Sequence, residues 1–158
     1  MKGNPEVLKV LNEMLKEELT AINQYIVHAE MQENWGYHRL SHETKKQAIG
    51  EMKHAEKLIE RILFLEGTPQ MAETMKLRIG KSVQQQLQND LALEEMAVAS
   101  YNRAIETARK HSDNASAELL REILEDEEEH VDFLETQLGL IEQLGLENYL
   151  VEQMEEEK

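Results

Sequence analysis

A few interruptions cut the stretch from Val7 to Leu144 into four long segments, and within each the apolar residues recur at helical spacing. In the first, Leu8, Leu11, Leu15, Leu19, Ile22 and Ile26 fall three or four residues apart, which lines one side of an α-helix and excludes the alternation of a strand. Stop and start signals set the ends. Pro5 suits a first helical turn, Gly36 and Gly67-Thr68-Pro69 close segments, and Asp113-Asn114 offers capping side chains. The spacing therefore predicts helices over about Pro5 to Asn34, Arg39 to Glu66, Ser82 to His111 and Ser116 to Leu144, with a short fifth piece from Leu146 to Met154. Glu155 to Lys158 are expected to fray.

Composition agrees with an all-α reading. Two Pro and seven Gly are too few for the turns of a β domain, and a core with 4% aromatics must be built from aliphatic residues and eight Met. Helices of nearly 30 residues are each about 45 Å long, which suits an antiparallel four-helix bundle. Short links at Gly36 and Asp113 join antiparallel neighbours, while Thr68 to Gly80 is long enough to cross the length of the bundle. All 158 residues are read as a single domain.

The absence of Cys excludes disulfides, thiolate metal sites and thiol catalysis, so any metal must be held by oxygen and imidazole. A formal charge of −15 argues against nucleic acid and for attraction of cations, although solubility alone would also explain it. The start, MKGNPEVLKVL, lacks the apolar run of a signal peptide, and nothing approaches the ~18 apolar residues of a membrane span. A cytoplasmic location away from membranes is expected.

Two Glu-x-x-His motifs stand out, Glu51 with His54 and Glu127 with His130. Residues three apart share a helix face, so each pair can offer an oxygen and a nitrogen to one ion. Alone the motif is weak in so acidic a chain. Its spacing is not: a shift of 76 residues carries Glu18 to Glu94, Glu51 to Glu127, His54 to His130 and Tyr25 to Tyr101. This is the mark of a duplicated helix pair, and folding it about a pseudo-two-fold axis would bring the four Glu and two His together. Ala48, Glu51, Ala55, Leu58 and Ile62 form one stripe, as do Leu11, Met14, Glu18, Ala21 and Tyr25, so these acids face the core. Buried salt bridges are the alternative, but four carboxylates against two His leave excess negative charge that burial makes costly. Divalent cations remove that cost, and the donor set favours iron or manganese over structural zinc.

Beyond the ligands, Met1-Lys2-Gly3, Ala21-Ile22-Asn23-Gln24-Tyr25, Asn34-Trp35-Gly36, Glu51-Met52-Lys53-His54-Ala55, Ile59 to Gly67, Asp126 to His130 and Gly145 to Leu150 resemble the bacterioferritin family, the haem-containing ferritins, over nearly the whole chain. The resemblance implies a ferritin-like bundle with one long crossover and an intrasubunit ferroxidase centre. Glu51 and Glu127 would bridge two irons, Glu18 and His54 completing one and Glu94 and His130 the other. It implies oxidation of Fe²⁺ by O₂ or H₂O₂, a hollow homo-oligomer of 24 subunits built from two-fold dimers, and a ferric mineral inside. It also implies haem b between two subunits, with Met52 from each as axial ligand, and a small ferredoxin as electron donor for iron release. Tyr25 is placed to hydrogen-bond a bridging carboxylate, or is simply a core tyrosine. Met52 shares an outward apolar stripe with Ile49, Ile59 and Leu63, which subunit packing alone would also explain. Leu19, Ile22, Asn23, Ile26 and Lys53 would line the haem pocket. Lys46 and Gly50 offer no accessory ligands, and Leu58 and Phe133 supply no further phenol or indole, leaving Tyr25 as the main nearby electron donor. His28 is expected beside Tyr25, with His38, His42 and His111 at the surface. Competing readings are a non-storing di-iron peroxidase or oxidase of rubrerythrin type, made less favourable by the lack of Cys, and a haem-bridged or metal-free scaffold.

Overall fold

The computed structural model describes residues 1–155. Its elements are α1 (Pro5–Asn34), α2 (His38–Phe64), α3 (Val83–Lys110), α4 (Asn114–Leu144) and α5 (Leu146–Glu152), with no strand among the described residues. Among the described residues, no helix is long and apolar enough to cross a membrane. The expected fraying of the tail falls largely on residues 156–158, outside the described residues.

Local chemistry explains the helix ends, including those the spacing misplaced. The Asn4 side chain accepts from the Glu6 and Val7 N–H groups, with Pro5 in the first turn. Helix α2 stops at Phe64 rather than Glu66, because Glu66 adopts φ 61° and the Gly67 N–H turns back to the Ile62 carbonyl at 2.9 Å. At Gly67 the constraint is contact instead: a Cβ there would lie 2.5 Å from Leu8 Cδ2, the movable end of a side chain, and 3.1 Å from Ile62 Cγ2. Ser112, at φ 58°, closes α3 in the same way. Asp113 then caps α4 by accepting from the Ser116 N–H at 3.0 Å, so that helix begins at Asn114, ahead of the expected Ser116. Ser82 caps α3, which starts one residue later than the spacing suggests, and α5 ends at Glu152 rather than Met154.

Helices α1 with α2 and α3 with α4 form the tightest pairs, joined through α1 with α3 and α2 with α4. Contacts between α1 and α3 show antiparallel neighbours: Glu18 meets Tyr101, Tyr25 meets Glu94, and Gln32 meets Gln86. The crossover from Leu65 to Ser82 climbs alongside α1, whose polar side chains hold its backbone rung by rung. Asn12 bonds Thr68 and Gln70, Thr20 accepts from Met75 N, Gln24 from Arg78 N, and His28 Nε2 from Gly80 N at 2.9 Å. A chain segment outside regular structure thus has backbone partners.

Two apolar clusters plug the bundle. One gathers Val7, Leu11, Leu58, Ile62, Ile105 and Leu120; the other joins Leu40, Val83, Leu87, Leu134, Ile141 and Tyr149. Between them lie small or polar residues, including Ala21, Tyr25 and Ala48, and the buried acids.

Candidate metal centre

Glu18 comes from α1, Glu51 and His54 from α2, Glu94 from α3, and Glu127 and His130 from α4. Their donor atoms form two groups, each with all atoms within 4.8 Å of one another: Glu18, Glu51, His54 and Glu127, and Glu51, Glu94, Glu127 and His130. Glu51 and Glu127 belong to both. His54 Nδ1 lies 3.0 Å from Glu127 and 3.5 Å from Glu18, and His130 Nδ1 lies 3.0 Å from Glu51 and 3.5 Å from Glu94. The pseudo-two-fold arrangement expected from the repeat is what the bundle builds.

All four acids are 2% exposed or less, so their charges have almost no water. Yet Glu18 Oε2, Glu51 Oε1, Glu94 Oε2, both Glu127 oxygens and both inward Nδ1 atoms have no hydrogen-bond partner. Unpartnered donor atoms at this depth are normally rare and costly. Burial, with neighbouring acids adding to it, raises Glu18, Glu51 and Glu94 above the usual carboxylate range. Burial also opposes ionisation of Glu127, but the close approach of Glu94 and of the His130 and His54 imidazoles holds its carboxyl well below that range. On His54, burial disfavours the cation, yet Glu127 and Glu18 push it up to about 11; on His130, Glu127 and Glu94 raise it to about 10. Without an ion the site gathers protons, and oxygen-rich donors with one imidazole per group suit divalent iron or manganese instead.

Two tyrosines brace the centre reciprocally. Tyr25 on α1 donates to Glu94 on α3, and Tyr101 on α3 donates to Glu18 on α1 at 2.5 Å. This corrects the expectation for Tyr25: its partner is a carboxylate of one group only, not a shared one. Tyr101 is a second phenol, buried as deeply as Tyr25; the repeat that paired the two tyrosines already carried that signal. Asp126 bonds the outer nitrogen of His54 at 2.8 Å, and the residue one repeat earlier, which would serve His130 likewise, is Gly50. His28 is fully buried but holds the crossover, its Nδ1 lying 2.9 Å from Asp90. His38 and His111 are half-buried, near Glu33 and Glu6, and His42 is exposed. Lys46 reaches Glu43, away from the centre.

On the outer face of α1 and α2, Met52 is 44% exposed beside Ile49 and Ile26, with Leu19, Ile22 and Ile59 half-buried. The matching groove on α3 and α4, one repeat later, is lined by Glu95, Val98, Glu128, Val131, Asp132 and Glu135. Divergence has made one face apolar and the other acidic.

An antiparallel four-helix bundle with inward Glu and Glu-x-x-His ligands belongs to the ferritin-like class. The family model described as "Ferritin-like domain" matches residues 8–144. The chain is 47% identical over 149 residues to "Bacterioferritin" of Mycobacterium leprae, covering 94% of each. It is 46% identical to the "Bacterioferritin" of Streptomyces coelicolor, over 95% of this chain and 90% of that one, and of Brucella melitensis, over 94% and 92%. The chain belongs to the bacterioferritin family.

Proposed function

We propose that the chain is an iron-storage ferroxidase, which oxidises Fe²⁺ with O₂ or H₂O₂ at the Glu–His centre and keeps the ferric product inside a hollow homo-oligomer. The observation that carries this reading is the pair of donor groups sharing Glu51 and Glu127, with their buried atoms unpartnered. Such a site takes two cations side by side. Two ferrous ions give one electron each, matching the two-electron reduction of O₂ to H₂O₂ or of H₂O₂ to water, with two protons taken up in either case.

Glu51 and Glu127 bind from between the two positions, with Glu18 and His54 on one side and Glu94 and His130 on the other. Asp126 keeps a proton on His54 Nε2, which leaves the Nδ1 lone pair free to face the centre. Tyr25 and Tyr101 fix Glu94 and Glu18 so that substrate meets preset ligands. The apolar plugs above and below limit water.

The Met52 face fits the edge of a haem b shared by two subunits, because an exposed thioether is flanked by apolar side chains, with exposed Lys53 adjoining it for a propionate. Bound haem would supply one-electron transfer toward stored iron, with a small ferredoxin as donor. Assembly as 24 subunits, a single domain and a cytoplasmic location complete the proposal.

Stopped-flow absorbance during Fe²⁺ loading, followed by O₂ or H₂O₂ at stepped ratios of iron to chain, tests it. The expected result is a fast phase saturating near two irons per chain, absent in Glu94→Ala, followed by slow mineral growth. Fast oxidation without mineral would indicate a non-storing di-iron enzyme, and no fast phase with either oxidant would sink the ferroxidase. For haem, Met52→Leu should lose the Soret band and retain the fast phase; full haem in that variant would refute the assignment.

A further inference from the structure

Glu17 is used by nothing described so far. It neighbours Glu18 on α1, but a step of one residue turns it about 100° away from the centre and into the seam between α1 and α3. There it lines a groove of about 650 Å³ together with Glu13, Met14, Lys16, Ser100 and Arg103. Of the groove's three acids, Glu6 and Glu13 are exposed and Glu17 alone is buried, at 8% exposure. Its Oε1 has no hydrogen-bond partner.

We propose that Glu17 forms a transit site for divalent cations, at which a cation leaving the groove between α1 and α3 exchanges water for a carboxylate before reaching the dinuclear centre. This rests on the reading of that centre as a dinuclear metal site. Two features fit the role. At the groove's rim the exposed Glu6 is engaged by His111 at 2.7 Å, whereas the buried Glu17 keeps an unpartnered oxygen that a cation can meet. One repeat later the residue is Leu93, buried and apolar, so the pseudo-symmetric position in this seam has no such carboxylate and uptake is one-sided.

Co²⁺ is the probe, since its visible absorption reports occupancy of the centre without any oxidation. In the full chain, Glu17→Gln should fill the centre at least about tenfold more slowly, the low end of rate gains from focused charge, and reach the same final absorbance. Glu17→Asp should restore most of the rate, and Glu13→Gln in the same groove should change it little. Filling of Glu17→Gln at the unaltered rate would overturn the proposal, and so would a lower final absorbance, which would make Glu17 part of the centre. If the unsubstituted chain binds no pair of Co²⁺ ions, the dinuclear reading itself falls and takes this one with it.

Discussion

Tyr25 and Tyr101 exchange partners across the bundle, each phenol donating to a carboxylate carried by the other's helix. Burial first, and then the nearby acids, raise both phenols well above their usual range, so they stay protonated donors at any working pH. Removing either hydroxyl leaves one ligand oxygen unheld. Tyr25→Phe and Tyr101→Phe should each weaken Co²⁺ binding by about 10- to 100-fold, the usual effect of losing a group that orients a ligand, with stoichiometry unchanged in a spectroscopic titration. Asp113 offers a test remote from the centre. It caps α4, bonds Ser116 and receives Arg61 at 2.9 Å, and although burial works against its charge these partners hold its carboxyl below the usual range. Asp113→Ala should cost about 1–2 kcal/mol in urea unfolding at neutral pH. Because the folded group is the stronger acid, that contribution is present above its unfolded pKa and fades as pH falls through the folded one, so the gap from the variant should narrow in acid. The six residues of the Glu–His cluster were legible in the sequence because a repeat singled them out. Glu17 and Asp126 were not, since each sits beside a member of the Glu–His cluster in a run of acids, and only the fold buries Glu17 and brings Asp126 against His54.

At the level of elements, the helices were legible from spacing, whereas their last turns were settled by backbone geometry that spacing does not encode. Glu66 and Ser112 take left-handed conformations that a reader of the sequence would assign to glycine. The attachment of the crossover was also hidden. Asn12, Thr20, Gln24, His28 and Gln32 repeat along one side of α1 without an apolar pattern to mark them as interior, yet Thr20, Gln24, His28 and Gln32 are buried. At the top of this ladder the Gly80 N–H donates to His28, and a Cβ on Gly80 would lie 2.4 Å from the Gln86 nitrogen. That neighbour is helix backbone and has little freedom to yield. Gly80→Ala should therefore destabilise the chain by about 1–3 kcal/mol, measured by denaturant unfolding of the metal-free form.

For the whole molecule, the buried acids make stability depend on what fills the centre. Co²⁺ at a hundred times its Kd should raise the unfolding free energy by about 2.7 kcal/mol per independent site, and a chelator should reverse the gain. An unchanged melting temperature would mean that the unfolded chain binds the ion as well, or that the centre does not. The outer faces are where the two halves have parted. Ile49, Met52 and Ile59 on α2 correspond, one repeat later, to Glu125, Glu128 and Glu135 on α4. Substituting Glu128→Met with Glu135→Ile should restore the likeness and shift the protein toward larger particles in light scattering, since both sides would then be adhesive. A fused pair of identical hairpins begins with two equivalent sticky flanks, the geometry of a chain that polymerises without limit. Charging one flank turns such a link into a terminus, so a chain adhesive on its other flank alone would stop growing along this axis at a pair.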